Sequence, residues 1–212
     1  MGLVADPKKK PVPMLDLERQ FAPLKAEILA AIAEVCDAQG FILGPKVEAF
    51  ETAAAHMCGT SFAVSCSSGT DALWLALAAA GIGDSTAAVR ATEQQVVLTT
   101  PFSFFATASA ILRAGAKPVF ADIDPRTFNL SPDAVEEALR GQQAARVKAI
   151  LPVHLYGQCA EMNRFYALEQ ERGLAVIEDA AQAFGAAWRC DDGVVRSAGC
   201  FGAAAADRKS VV

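Results

Sequence analysis

Residues 147–182 read VKAILPVHLYGQCAEMNRFYALEQERGLAVIEDAAQ, and this stretch decides the fold. It opens on an apolar run, Val147 to Val153, and closes on another, Leu174 to Ile177. The segment between them, Ala160 to Arg172, reads as a helix. Apolar runs without polar alternation fit strands buried on both faces, as in parallel sheets. Two such strands joined by a helix form a crossover unit, which places them parallel.

Toward the N-terminus the same alternation continues. Ser61 to Ser65 reads as a short strand and Asp71 to Ala80 as a buried helix. Val96 to Thr99 and Lys117 to Ala121 read as strands, with a helix from Ala106 to Arg113 between them. Ser131 followed by Pro132 marks a helix start, an N-cap with proline at the first helical position, running to Arg140. Before the alternation, Pro23 is expected to open a helix with Leu24, Ile28, Ile32 and Val35 on one stripe. A second helix is expected from Pro45, with Val47, Phe50, Ala54 and Met57 turned inward. The pattern predicts an α/β fold: a three-layer sandwich with a mostly parallel central sheet covered by helices on both faces.

Composition narrows the function. Of 212 residues, 53% are hydrophobic and 20% charged, which permits a sizeable core; the net charge of −5 argues against nucleic acid as a partner. Lys8, Lys9 and Lys10 sit in a Pro-flanked start and read as a solvated tail. No run is long and apolar enough to span a membrane, and the first residues lack the apolar core of a signal peptide. The six cysteines form no C-x-x-C pair and only two histidines accompany them, so no metal site is expected. Free thiols in apolar patterns fit a reducing, cytoplasmic setting.

In sheets of this kind ligands sit beyond the carboxyl ends of the strands. Cys66-Ser67-Ser68-Gly69-Thr70-Asp71 leads into a helix. Its small residues and the free N–H groups of the helix start could cradle a phosphate. The same turn also serves as an ordinary strand-to-helix connection, and it lacks the Gly-Lys-Ser/Thr ending of a Walker A loop. Phe102, Phe104 and Phe105 after the next strand fit either core or a flat face for a ring. Asp124 fits turn chemistry, and His154 fits a structural role better than a catalytic one. Asp179 follows an apolar strand, where a carboxylate needs a cationic or hydrogen-bonding partner; a protonated pyridine nitrogen would serve.

Seven stretches in register carry a resemblance. They are MLDLERQFAPLKAEI from Met14, GFILGPKVEAFE from Gly40, SCSSGTDALWLAL from Ser65, TPFSFFATASAI from Thr100, AKPVFADIDPRTFNL from Ala116, LPVHLYGQCAEM from Leu151 and VIEDAAQAFGA from Val176. Together they resemble the DegT/DnrJ/EryC1/StrS family of pyridoxal-phosphate (PLP) sugar aminotransferases. The segment GIGDSTAAVRATEQQVV is longer than the family's usual link and is expected to be a surface insertion.

The resemblance implies the large domain of PLP fold type I. Gly69 and Thr70 would hold the cofactor's phosphate, and Phe104 would stack on the pyridine. Asp179 would pair with the pyridinium nitrogen, and Gln182 would reach the 3-oxygen. The reaction implied moves an amino group from an amino acid, glutamate by preference, to a nucleotide-linked keto sugar, with a homodimer as the working form. The family's Schiff-base lysine follows a string like FSFxPxK. Here Phe201-Gly202 is followed by four alanines and Asp207-Arg208-Lys209-Ser210-Val211-Val212, and counting along the motif places the lysine just past Val212. No catalytic lysine is therefore assigned, and the chain is expected to be an inactive fragment without the C-terminal small domain. Residues 1–22 are expected to be an arm, 23–206 an incomplete PLP-binding large domain, and 207–212 a non-native tail. Two other readings stay open: a PLP-dependent sugar dehydratase of the same family, and a non-enzymatic nucleotide-binding α/β module.

Overall fold

The computed structural model describes residues 13, 15–83 and 94–200, and the backbone of 204–206. Residues 84–93, most of the expected surface insertion, lie outside the described residues, as do the Lys8–Lys10 tail and the 207–212 tail. The chain divides between Glu48 and Ala49 into two compact units.

In the first unit, α1 runs Leu17–Asp37. The expectation that Pro23 opens this helix is corrected: Pro23 lies inside it. The start is fixed by Asp16, whose carboxylate accepts the Arg19 N–H at 2.9 Å, and Glu18 in the first turn complements the helix dipole. An interior proline costs roughly 3 kcal/mol, which these contacts offset in part. The expected stripe is not buried: Leu24, Ile28 and Ile32 are exposed, and no described residue of α1 is buried. The helix also crosses residue 22 without a break. α2, Pro45–Cys58, starts as expected at Pro45 and buries Ala54 and Ala55, but Phe50 and Met57 stay exposed.

The second unit holds the sheet. Its five strands are β1 (Val96–Thr99), β2 (Lys117–Phe120), β3 (Val147–Ile150), β4 (Ala175–Asp179) and, near the end of the chain, a short strand at Ala204–Ala206, in the order β2-β1-β3-β4 and then that last strand, all parallel. Its helices are α3 (Gly69–Ala79), α4 (Phe105–Arg113), α5 (Pro132–Ala138) and α6 (Met162–Arg172). Alternate strand residues face opposite layers, as the two-residue period of a strand requires. Val97, Ala149 and Ile177 pack with Leu73, Leu77 and Ile111 of α3 and α4. Val96, Leu98, Ile150 and Val176 pack with Val135, Phe165 and Leu168 of α5 and α6. The three-layer α/β expectation therefore holds.

Pro118 sits in β2, an edge strand, where a missing N–H is tolerated. Gly83, at φ +90°, donates its N–H to Gln95 Oε1 at 2.6 Å; a Cβ there would lie 1.9 Å from the Ala114 carbonyl oxygen. Only hydrogen fits that approach.

Two local expectations are corrected. Ser61 to Ser65 forms no strand among the described residues. It is tied to α2, where Glu51 Oε1 accepts both the N–H and the hydroxyl of Ser65 at 2.7 Å. An unforeseen antiparallel hairpin follows β4: β5 (Ala187–Arg189) pairs with β6 (Val195–Ser197). The last strand, Ala204–Ala206, is β7, with Asp179 opposite Ala206.

Candidate functional site

A cavity of about 210 Å³ lies beyond the strand ends. Gly69, Thr70, Phe104, Asp179 and Gln182, spread over more than a hundred positions of sequence, all line it. Leu73, Ser103, Ala106, Val153 and Ala181 complete the lining, and none of these residues is a lysine.

One wall is the start of α3. Ser68 is the N-cap: its hydroxyl accepts the Asp71 N–H at 3.1 Å. The N–H groups of Gly69 and Thr70 precede the first intrahelical bond, which runs from Ala72 to Ser68. Among the described residues nothing pairs with them, and the positive dipole end lies behind them. The Asp71 carboxylate is drawn aside by Ser67, Ser68 and Arg113, and these bonds lower its pKa to about 2. Arg113 also lies over the Trp74 ring at 4.1 Å.

Opposite is Asp179, the last residue of β4 and 5% exposed. Its Oδ2 accepts the Thr107 hydroxyl at 2.8 Å and its Oδ1 the Ala181 N–H at 3.3 Å. Among the described residues it forms no ion pair. Burial pushes its pKa up, opposed by Thr107, Ala181 and nearby His154. Such a carboxylate calls for a cation or a strong donor from the cavity side.

Gln182 is oriented by its neighbour: its Oε1 accepts the Tyr156 N–H at 2.9 Å, which leaves the amide NH₂ to donate. The turn that carries Tyr156 is held by Asn129, which is 2% exposed. Asn129 Oδ1 accepts the Leu155 N–H and its Nδ2 donates to the Gln158 carbonyl, both at 3.0 Å. Phe104 is the N-cap residue of α4, lies at the cavity rim and is 74% exposed.

His154 has a structural position, as the sequence suggested. It is fully buried; its Nδ1 accepts the Ala160 N–H at 3.0 Å, so the proton sits on Nε2 and is donated to Glu178 at 2.7 Å. Glu178 also accepts the Gly199 N–H. Asp124 closes a turn: its carboxylate accepts from Arg126, whose side chain holds the pKa of Asp124 down at about 2.

The family model described as "DegT/DnrJ/EryC1/StrS aminotransferase family" matches residues 23–206. The chain belongs to this family. Its members are PLP-dependent aminotransferases. The chain is 48% identical over 175 residues to the "Pleiotropic regulatory protein" of Geobacillus stearothermophilus, covering 82% of this chain and 44% of that one. It is 46% identical over 175 residues to the "UDP-N-acetyl-3-dehydro-alpha-D-glucosamine 3-aminotranferase" of Acidithiobacillus ferrooxidans, with the same coverage. Among solved structures it is similar to DesV of S. venezuelae, with a TM-score of 0.80 and 38% identity, covering 92% of this chain and 48% of that one. It is also similar to ntda of Bacillus subtilis "with bound cofactor pmp", with a TM-score of 0.73 and 33% identity, covering 85% and 39%. The chain spans less than half the length of these relatives.

The residues present fit the family's cofactor. A phosphate matches the Thr70 hydroxyl and the two N–H groups, which have no partner among the described residues; a pyridinium matches the buried carboxylate, which forms no ion pair among them; and an acceptor oxygen matches the Gln182 amide. Sequence reasoning missed Thr107, Ser103 and Asn129. Thr107 and Ser103 lie inside TPFSFFATASAI, where two hydroxyls four residues apart at a helix start were the available signal. For Asn129 there was none, because its partners are 26 and 29 residues away.

Proposed function

We propose that this chain is the cofactor-binding part of an aminotransferase that moves an amino group from an amino acid, glutamate by preference, to a nucleotide-linked keto sugar. The observation that carries the reading is Asp179: a buried carboxylate without a cationic partner among the described residues, facing a cavity whose other wall is the open start of α3. The substrate class rests on the 3-dehydro-glucosamine aminotransferase relative. The match over residues 23–206 supports assigning them to the large domain.

In this reading Gly69 and Thr70 bind the phosphate and fix one end of the cofactor. Asp179 holds a proton at the pyridine nitrogen, and the Gln182 amide donates to the 3-oxygen. Phe104 covers one ring face and keeps water from it. Bound there, PLP supplies an electron sink for the carbanion of amino transfer. No described lining residue is a lysine.

The test is equilibrium titration with pyridoxamine phosphate, the amino form of the cofactor, followed by Trp74 and Trp188 fluorescence. Saturable binding weakened by Asp179→Asn is expected. No binding, or equal binding by the variant, contradicts the proposal.

A further inference from the structure

We infer that Thr107, backed by Ser103, is a positioning residue that aims the Asp179 carboxylate into the cavity for the ring nitrogen of the cofactor; this rests on the PLP reading. Thr107 lies in the first turn of α4, is 1% exposed, and reaches across 72 positions of sequence to Asp179 Oδ2 at 2.8 Å. Its hydroxyl has a single proton, and an ionised carboxylate can only accept. That proton is therefore committed to Asp179. The 2.9 Å contact with Ser103 then runs one way, with Ser103 Oγ donating to Thr107 Oγ1. Ser103 lines the cavity, so a directed chain of donors runs from the cavity rim to the carboxylate.

Thr99, also buried, shows the contrast. Thr99 spends its hydroxyl on the Leu151 carbonyl and joins two strands. Thr107 instead serves a carboxylate at the cavity. With Oδ2 tied to α4 and Oδ1 to Ala181, the carboxylate plane is fixed from both ends. β-branching holds the Thr107 rotamer.

Among the described residues few other titratable groups bear on Asp179. His154, from the turn after β3, acts at longer range and is engaged by Glu178 and Ala160. The Glu178 carboxylate faces His154 and Gly199. Asp71, at the start of α3, is tied to Ser67, Ser68 and Arg113. Thr107 is the largest of the influences that lower the pKa of Asp179 against burial.

The experiment uses the full chain as wild type, Thr107→Val, Thr107→Ser and Ser103→Ala. The Asp179 carboxyl is titrated by carbon-13 NMR without cofactor, and pyridoxamine phosphate affinity is then measured at neutral pH. Thr107→Val keeps the shape and removes the hydroxyl. It is expected to raise the Asp179 titration midpoint by about one pH unit and to weaken binding about tenfold. Thr107→Ser should restore both, which a purely packing role would not do. Ser103→Ala, at a partly exposed position, should shift both in the same direction by less, and it serves if Thr107→Val does not fold. An Asp179 midpoint unchanged in Thr107→Val, or in Ser103→Ala where that variant stands in, overturns the inference. A shifted midpoint with no cofactor binding by any form, wild type included, upholds the Thr107–Asp179 link and overturns the PLP reading instead.

Discussion

Asp179 sets a conflict between stability and binding that one substitution exposes. Its pKa is raised by burial, so the folded state favours the protonated form more than the unfolded chain does. The stabilisation that this proton gives is fully present below the carboxyl's unfolded pKa and is lost as pH rises through the higher folded value. Above that value the cofactor-free chain holds a buried charge with no cation among the described residues. Asp179→Asn, neutral at every pH, should therefore raise the thermal midpoint of the cofactor-free chain at neutral pH relative to wild type, with the gain shrinking toward acid. Thermal melts across pH check this. The same variant should bind pyridoxamine phosphate roughly thirtyfold more weakly, because one partner of a buried charge pair is gone, a loss of about 2 kcal/mol. Thr70→Ala should cost about tenfold by removing a hydrogen bond to a charged phosphate, measured by the same fluorescence titration.

The elements show which signals in a sequence survive tertiary context. β1, β3 and β4 were legible because nearly all of their residues are buried and most are apolar; exposed Lys148, and Thr99, Glu178 and Asp179 at strand ends, are the exceptions. α5 was legible from Ser131-Pro132, whose cap hydroxyl does accept the Ala134 N–H. The α1 start was misplaced because a proline signal competed with the Asp16 cap. The β5–β6 hairpin carried a legible mark, Asp192-Gly193, with Gly193 at φ +83° and Asp192 accepting the Val194 N–H at 2.9 Å. Its strands are only three residues each and partly exposed, too short for alternation to stand out. In the site, residues in loops and turns at strand and helix ends were found, while Thr107, a helix residue whose partner Asp179 lies 72 positions away, was not. For the layers themselves, Phe165 is fully buried between α6 and the sheet. Phe165→Ala should lower unfolding free energy by about 3–5 kcal/mol in urea titration, without changing cofactor affinity of the molecules that remain folded.

At the scale of the whole molecule, the described residues build a parallel sheet with a cavity beyond its strand ends. Around it stand a helix start with free N–H groups, a buried carboxylate and a fixed amide donor. All described cysteines are free thiols, and no described helix is long and apolar enough to cross a membrane. Because the ligand would bind only the folded form, pyridoxamine phosphate at about a hundred times its dissociation constant should add roughly 2.7 kcal/mol to stability. That corresponds to a thermal shift of about 5–10 °C for a chain of this size, and Asp179→Asn at the same ligand concentration should show less. The central claim is that Gly69, Thr70, Phe104, Asp179 and Gln182 hold one cofactor. A crystal structure of the chain with pyridoxamine phosphate tests it most directly. The account predicts the phosphate on the Gly69 and Thr70 N–H groups, the pyridine nitrogen within hydrogen-bond reach of Asp179, and the 3-oxygen beside the Gln182 amide. A ligand bound elsewhere, or bound here with its ring nitrogen turned away from Asp179, would contradict it.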